Sequence, residues 1–249
     1  MPKTPHRTLL VYAHPEPKSF GAALRDRGVQ TLREVGHEVQ VSDLYAMGFN
    51  PVASEADFSG RRFADRLQYD REQKHAWQHE LFSADIRCEL DKLQWCDTLI
   101  LQFPLWWFSV PAIMKGWIDR VFINGLVYGN GRRYDTGGLR GRRAMLAVTT
   151  GCYQEMAAPD GLLGGIDIIL WPLHAGTLAY AGCTVLPPYL AWSVQYAGAA
   201  GQQAQLDGYA EHLRGIDHAE PLYFHPQSDF EHYRLKPDVP IRSPGLRRI

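Results

Sequence analysis

Three short segments of the chain carry the side chains best suited to chemistry. They are "HPEPKSF" (His14–Phe20), "PLWWF" (Pro104–Phe108) and "TTGCYQ" (Thr149–Gln154). The first leads into a predicted helix, whose free N–H groups and positive dipole end favour a phosphate. The second has three adjacent aromatics whose side chains diverge, so at least one must line a cavity or an interface. The third supplies hydroxyls, a glycine and successive N–H groups that suit a carbonyl edge or a developing anion.

Predicted strands and helices alternate along the chain and must position these segments. We expect strands at Arg7–Ala13, in "HEVQVSDLY", in "DTLILQFP", at Arg143–Gly151 and in "CTVLPPYLAW". We expect helices from the N-cap Ser19 to Gly36, over Glu72–Trp95, in "SVPAIMKGWIDRVF" with Ser109 as the cap, within Leu162–Gly182, and over Gln202–Ile216. Residues Ala46 to Tyr69 lack periodicity but hold enough apolar side chains to predict a packed excursion.

This alternation predicts an α/β fold with a mostly parallel sheet covered by helices on both faces. Ligands of such sheets bind beyond the carboxyl ends of the strands, and the three segments follow the first, third and fourth strands. Each segment taken alone has a structural alternative. The first is then a polar loop with a capping serine, the second is core packing with one interface residue, and the third is an ordinary strand-to-loop turn. Together they predict one crevice that suits a flavin. The sequence shows no G-x-G-x-x-G, Walker or H-E-x-x-H motif and no nucleophile elbow, and its ten histidines suggest no metal site.

Composition places the chain among globular proteins with small ligands. Its 249 residues fit one large core, and a net charge of −1 at pH 7 gives no reason to expect a nucleic acid as partner. The four cysteines are scattered and the N-terminus shows no signal-peptide pattern, so we expect a cytoplasmic protein. The apolar tract Leu162–Gly182 contains Asp167, Pro172 and His174, which predicts buried helices rather than a membrane span.

Several of these motifs resemble the NAD(P)H:quinone oxidoreductases, or DT-diaphorases. They are "LLVYAHPEPKSFGAAL", "GFNP", "LQFPLWWFSVPAIMKGWIDRVF", "YDTGGLRGRRAMLAVTTG", "DIILWPLHAGTLAYAG" and "PLYF". The resemblance implies a flavodoxin-like, doubly wound parallel sheet of five strands in the order 2-1-3-4-5, within a domain of residues 1–216. Residues 217–249 would form a C-terminal extension on the surface or on a partner subunit. A homodimer with FAD at its interface, which reduces quinones by two electrons from NADH or NADPH, is implied as well.

The resemblance also assigns roles to individual residues. Flavin contacts fall on His14, Lys18, Ser19, Phe20, Gly21, Pro104, Leu105, Trp106, Trp107, Phe108, Thr149, Thr150, Gly151 and Cys152. Gln68 matches a position that faces the neighbouring subunit's flavin. The substrate pocket would be lined by Trp107, Phe108, Tyr128 and Asn130. The N–H groups of Gly151 and Cys152 would stabilise negative charge on the reduced ring.

Two departures from the family pattern affect the expected mechanism. Ala157 and Leu163 occupy the positions of a tyrosine and a histidine that help to stabilise or protonate the reduced flavin, so water, or else Tyr153, would supply the proton. Gln202 stands where an arginine is expected near the adenine, which keeps FMN open beside FAD. The main hypothesis is a ping-pong flavoenzyme in which nicotinamide and quinone use one pocket in turn. The alternatives are a flavin-binding regulatory subunit of a potassium-efflux-type membrane transporter and an FMN-type azo- or nitroreductase.

Overall fold

A parallel sheet forms the centre of the protein, whose computed structural model describes residues 6–246. Its strands are β1 Arg7–Tyr12, β2 Glu38–Asp43, β3 Thr98–Pro104, β4 Arg143–Thr149, β5 Thr184–Val185 and β6 Tyr189–Ala191. The order is β2-β1-β3-β4-β5, and β6 also pairs with β4. The predicted α/β class and the order 2-1-3-4-5 are confirmed, with two short strands at the fifth position. Pro187 and Pro188 separate them, because proline has no N–H to give to a ladder. The outer ends of the predicted domain and extension, residues 1–5 and 247–249, lie outside the described residues.

Helices cover both faces of the sheet. They are α1 Phe20–Glu34, α2 Tyr69–His79, α3 Ala84–Trp95, α4 Ala112–Val121, α5 Ile166–Ile169, α6 Trp171–Leu173, which continues into a π-helical turn at His174–Ala179, and α7 Gly198–Arg214. One apolar cluster joins α1 and α7 to the sheet, and another joins α2, α3 and α4 to the opposite face. All seven residues of β3 are buried, as expected for a parallel strand between two helical layers. No helix within residues 6–246 has the length and apolar character needed to span a bilayer.

Two helix predictions were wrong in detail. The stretch Glu72–Trp95 forms two helices, because Glu80 adopts a left-handed backbone conformation with φ of 58° and ends α2. Ser109 does not cap α4, whose N-cap is Pro111, without a side-chain hydrogen bond. Ser109 instead exchanges two backbone hydrogen bonds with Trp106, of 3.0 and 3.1 Å. The residues before α4 are thus held by a tight turn rather than by a serine cap.

The excursion from Ala46 to Tyr69 is packed against the helices, as predicted. A buried ion pair between Arg120 and Asp57 holds it in place. The Arg120 guanidinium of α4 donates to Asp57 at 2.8 Å, and the hydroxyl of Tyr69 donates to the same carboxylate at 2.5 Å. Arg120 also donates to the Asn50 carbonyl and to Asp85, each at 2.8 Å. These bonds tie the excursion to α3 and to α4, the helix that follows the carboxyl end of β3.

The C-terminal extension packs on the sheet's fifth strand and on the Leu162–Gly182 tract. The Leu222 N–H donates to the Val185 carbonyl at 2.8 Å, and the ring centroids of Phe224 and Trp171 are 5.8 Å apart. Two short strands, β7 Phe230–Glu231 and β8 Arg234–Leu235, form a hairpin further along. Contact of this extension with a partner subunit stays a prediction.

Candidate active site

A cavity of about 400 Å³ opens at the carboxyl ends of β1, β3 and β4. This is the edge where ligands bind in open parallel sheets. Ten of the predicted site residues line it, namely His14, Ser19, Phe20, Gly21, Pro104, Leu105, Trp106, Thr149, Thr150 and Gly151. The three segments identified in the sequence therefore meet at one place. Of the predicted flavin contacts in these segments, Lys18, Trp107, Phe108 and Cys152 do not line the cavity.

The N-terminus of α1 forms one wall of the cavity. Ser19 accepts a hydrogen bond from the Ala22 N–H at 3.1 Å and caps the helix, as predicted. The N–H groups of Phe20 and Gly21 lie in the first turn, where a helix offers them no internal acceptor. Together with the positive end of a 15-residue helix, these groups favour a bound anion.

His14 adds a donor to this wall. Its Nδ1 accepts the N–H of Glu16 at 3.0 Å, so in the neutral ring the proton is on Nε2, where it can donate to a ligand. The His14 ring lies 6.1 Å from the ring of Trp106, centroid to centroid. Lys18, in contrast, is exposed and does not line the cavity, and its backbone N–H donates to Glu16 at 2.7 Å.

Two buried side chains that the sequence analysis missed fix the helix start to the sheet. Gln102 of β3 donates from Nε2 to the Gly21 carbonyl at 2.6 Å, and the hydroxyl of Tyr12 lies 3.2 Å from the Ser19 Oγ. Each is only 1% exposed, and burial raises the pKa of Tyr12, so its hydroxyl stays protonated. A polar residue inside the apolar run "LILQFP" is the signal that could have identified Gln102.

The three adjacent aromatics form a tight turn between β3 and α4. Trp106 and Ser109 exchange backbone hydrogen bonds, which makes Trp107 and Phe108 the central residues. Both have positive φ, 50° and 59°, the pattern of a type I′ turn that normally uses glycine or asparagine. Trp107 is 95% exposed and Phe108 is 52% exposed. A strained turn that exposes two large rings indicates a role in binding rather than in core packing.

The loop after β4 is held by hydrogen bonds to the residues that follow β6. The Thr150 N–H donates to the Ala191 carbonyl at 2.9 Å, and the Cys152 carbonyl accepts from the N–H and the hydroxyl of Ser193. The Cys152 N–H donates to the Thr150 Oγ1 at 3.1 Å. The N–H of Gly151 donates to no residue among those described. Gly151 is therefore the better placed of the two predicted anion-stabilising donors.

Three other predicted residues lie away from the cavity of their own chain. Gln68 is the N-cap of α2. The Tyr128 ring lies 6.4 Å from that of Tyr180, and burial raises the pKa of Tyr128. Asn130 accepts a hydrogen bond from Lys74 at 2.9 Å. None of these three residues lines the cavity.

The two positions at which the family has a tyrosine and a histidine hold no proton donor in this chain, as the sequence indicated. Ala157 is buried and Leu163 is partly buried, and neither carries a transferable proton. Tyr153 is 54% exposed, and its ring stacks on that of Tyr196 with 6.1 Å between centroids.

A second cavity, of about 750 Å³, was not predicted from the sequence. The C-terminal extension and the Leu162–Gly182 tract line it, with aromatic side chains from Tyr134, Trp171, Tyr180, Phe224, Phe230 and Tyr233. Tyr180 also packs on Tyr128, which connects this aromatic surface to the predicted substrate residues.

The loop after β6 supplies the remaining lining residues of the first cavity. Val194 and Gln195 were missed, although the strand-end rule applied to the fifth strand would have found them. Gln202, at the start of α7, also lines this cavity. Its Nε2 donates to the Val194 carbonyl at 3.0 Å, so one of its two polar groups is committed to the loop.

Comparison with known proteins supports the class that the fold and the cavity define. The family model for the flavodoxin-like fold matches residues 6–215. NAD(P)H dehydrogenase (quinone) 1 of Cavia porcellus is 40% identical over 226 residues, which cover 90% of this chain and 82% of that protein. Ribosyldihydronicotinamide dehydrogenase (quinone) of Mus musculus is 39% identical over 226 residues, which cover 90% and 98% of the two chains.

A crystal structure from Klebsiella pneumoniae, of a protein assigned as a quinone reductase, superposes with a TM-score of 0.89 at 40% identity and covers 98% of both chains. Sheet order, cavity position and family model together define a flavodoxin-like protein. Within that class, the chain belongs to the NAD(P)H:quinone oxidoreductase family.

Proposed function

We propose that the protein is a flavin-dependent NAD(P)H oxidoreductase that reduces quinones or similar flat acceptors by two electrons in a ping-pong reaction. The observation that carries this proposal is the meeting of the α1 N-terminus, the aromatic turn and the loop after β4 around one cavity. Membership of the quinone oxidoreductase family supports it. When bound, a flavin accepts a hydride from the nicotinamide and passes both electrons to the acceptor.

The groups around the cavity fit a flavin nucleotide. The first-turn N–H groups of Phe20 and Gly21 and the Nε2–H of His14 are donors that suit a phosphate. The N–H of Gly151 and the apolar faces of Leu105 and Trp106 suit the carbonyl edge and the plane of the ring. An anionic, carbonyl-rich, flat ligand requires this combination of donors and apolar surface.

The chain's own residues would bind, orient and shield the reactants. Trp107 and Phe108 would form the pocket that nicotinamide and acceptor occupy in turn and would exclude water from it. The N–H of Gly151 would stabilise negative charge at the ring's carbonyl edge. The N–H of Cys152 would do the same once it no longer donates to Thr150 Oγ1. Water would supply the proton that Ala157 and Leu163 cannot give, with Tyr153 as the alternative donor.

The proposal includes a homodimer that completes the pocket. A ring that is 95% exposed, as Trp107 is, would be covered by a second copy of the chain. That copy would bring its Gln68, Tyr128 and Asn130, which lie away from the cavity of their own subunit. Light scattering of the purified protein checks the expected dimer mass.

FAD is the flavin we propose, with FMN as the alternative because Gln202 replaces an expected arginine. Either NADPH or NADH would act as donor. We also propose a cytoplasmic location, because Cys88, Cys96, Cys152 and Cys183 are all free thiols, which suits a reducing compartment. Quinone reduction is favoured over the transporter-subunit and azo- or nitroreductase alternatives, because both reported relatives are named for quinones.

Anaerobic stopped-flow mixing of the flavin-loaded protein with NADPH or NADH tests the proposed function. We expect the flavin absorbance to bleach, and to return when a quinone such as menadione is added. Trp107→Ala should slow both half-reactions. Tyr45→Ala, which removes an exposed aromatic after β2, is the matched control and should slow neither. The oxidoreductase assignment fails if neither nucleotide bleaches the flavin.

A further inference from the structure

A cluster of two histidines and an aspartate lies at the edge of the sheet opposite the flavin cavity. His6 precedes β1, His37 precedes β2, and Asp217 follows α7. Because the strands are parallel, their amino ends meet at one edge, and the start of the C-terminal extension passes over it. Residues far apart in sequence are therefore brought together at a place that the proposed flavin chemistry does not use.

The side chains of the cluster face one another. The Nδ1 of His6 is 3.9 Å from Asp217 Oδ1, and the Nε2 of His37 is 3.4 Å from Asp217 Oδ2. The two imidazole centroids are 4.8 Å apart. One nitrogen from each ring and a carboxylate oxygen all lie within 4.8 Å of one another.

The opposite nitrogen of each ring is held by a buried threonine. The Nε2 of His6 is 2.8 Å from Thr98 Oγ1, and the Nδ1 of His37 is 2.8 Å from Thr8 Oγ1. When each ring donates its proton to the threonine oxygen, the other nitrogen presents a lone pair towards Asp217. Hydrogen bonds of this kind fix the tautomer and the orientation of histidines that bind metals.

One carboxylate oxygen of the cluster lacks a hydrogen-bond partner. Asp217 Oδ1 is buried and accepts no hydrogen bond from any described residue, although the side chain as a whole is 37% exposed. The His37 side chain is buried beside this carboxylate. A buried carboxylate oxygen without a hydrogen-bond partner, beside two ring nitrogens, suits a bound cation.

The geometry points to a binding site for one divalent transition-metal ion of the Zn²⁺ class, with His6 Nδ1, His37 Nε2 and a carboxylate oxygen of Asp217 as ligands. Nitrogen and carboxylate donors in this ratio suit zinc, with water as the fourth ligand. Tetrahedral bonds of about 2.0–2.1 Å place ligand atoms roughly 3.3 Å apart, so the longest separation must close by about 1.5 Å. Small rotations of the His6 and Asp217 side chains, both partly exposed, would achieve this.

A metal at this site would link three segments of the chain. It would join the residue before β1, the turn between α1 and β2, and the first turn of the C-terminal extension. Because the ion would bind the folded chain and not the unfolded one, it would raise the melting temperature progressively with its concentration. The role we assign to it is structural, since the site lies at the edge away from the flavin cavity.

The chain also offers a matched control. His75 and His79 lie four residues apart on α2, with ring centroids 4.5 Å apart, and can hold a metal with two ligands on the surface. Zinc bound there would be lost in His79→Gln but kept in Asp217→Asn. The two variants therefore separate the proposed site from adventitious surface binding.

The test is a titration of the flavin-loaded protein, purified without a histidine tag and treated with chelator, with Zn²⁺ by calorimetry and with Co²⁺ by visible absorbance. We expect one ion per chain that survives in His79→Gln and raises the melting temperature. We expect at least about tenfold weaker binding in Asp217→Asn and in His37→Gln. Equal affinity in the wild type and in Asp217→Asn, or loss of all binding in His79→Gln, would overturn the proposal. The flavin content, measured in the same samples, reports separately on the proposed function.

Discussion

Replacing Trp107 by glycine is expected to stabilise the flavin-free protein and to remove most of the turnover of the flavin-loaded protein. The φ of 50° at Trp107 lies in the left-handed region, which costs an L-residue about 1–2 kcal/mol. Glycine avoids this strain but loses about 0.5–1 kcal/mol more conformational entropy on folding. Because 95% of the Trp107 side chain is exposed, loss of the ring removes almost no buried surface. The free energy of unfolding should therefore rise by about 1 kcal/mol.

Trp107→Ala separates strain from loss of the ring. Alanine keeps a Cβ at the same φ, so it retains the strain and should leave the free energy of unfolding near that of the wild type. Both variants lack the ring, so both should lose quinone turnover to the same degree. Any dimer contact of the ring is also lost equally, so the difference between the two variants still reports the strain. Urea unfolding and steady-state kinetics of the three proteins provide the comparison. Equal stability of the glycine and alanine variants would refute the strain argument.

Three further predictions concern the site and its supports. Ser19→Ala should lower the free energy of unfolding by about 2 kcal/mol and weaken flavin binding, because it removes the cap of α1 and leaves the buried Tyr12 hydroxyl without its partner. Arg120→Met should lower that free energy by about 3–5 kcal/mol in urea unfolding, because it leaves the buried Asp57 carboxylate without an opposite charge. Burial lowers the pKa of His174 to about 4, below its unfolded value of 6.5, so the unfolded chain binds a proton first as pH falls. Stability should decline between pH 6.5 and 4 by about 3 kcal/mol from this residue, and His174→Leu should remove that part of the decline.

The first of these predictions has a control variant, and each of the three has a result that would contradict it. Ser83→Ala removes an N-cap serine whose side chain makes no capping bond, so it should leave flavin binding unchanged. Ser19→Ala with unaltered flavin affinity would contradict the role of the α1 N-terminus. An Arg120→Met protein as stable as the wild type would show that the excursion does not depend on the ion pair. A His174→Leu variant that loses stability as steeply as the wild type below pH 6.5 would contradict the account of His174.

The sequence predicted the sheet and one cavity well because those features depend on local patterns. Apolar runs such as "DTLILQFP" are typical of strands buried on both faces, and the strand-end rule then places the residues that follow them. The break at Glu80 escaped prediction, because a left-handed residue other than glycine leaves no clear signal in sequence. Ser109 resembled a cap by spacing, but the type I′ turn consumes its backbone groups.

Features that need distant segments to meet could not be predicted. Gln102 stands out within its apolar strand, but its partner Gly21 lies 81 residues away and is brought to it only by the fold. The second cavity forms only when the extension packs on the Leu162–Gly182 tract. The cluster of His6, His37 and Asp217 joins three segments without any motif spacing. For the same reason, the residues expected to act across a subunit interface, Gln68 and Tyr128 among them, stay predictions that one chain cannot test.

The identity and amount of bound flavin test the central claim most directly. Purified protein should show a flavin absorbance spectrum, and denaturation should release one flavin per chain with the mass of FAD. The same protein, loaded and kept anaerobic, should be bleached by NADPH or NADH. A protein that holds neither FAD nor FMN, and binds neither when it is added, would contradict the assignment of the cavity at the ends of β1, β3 and β4.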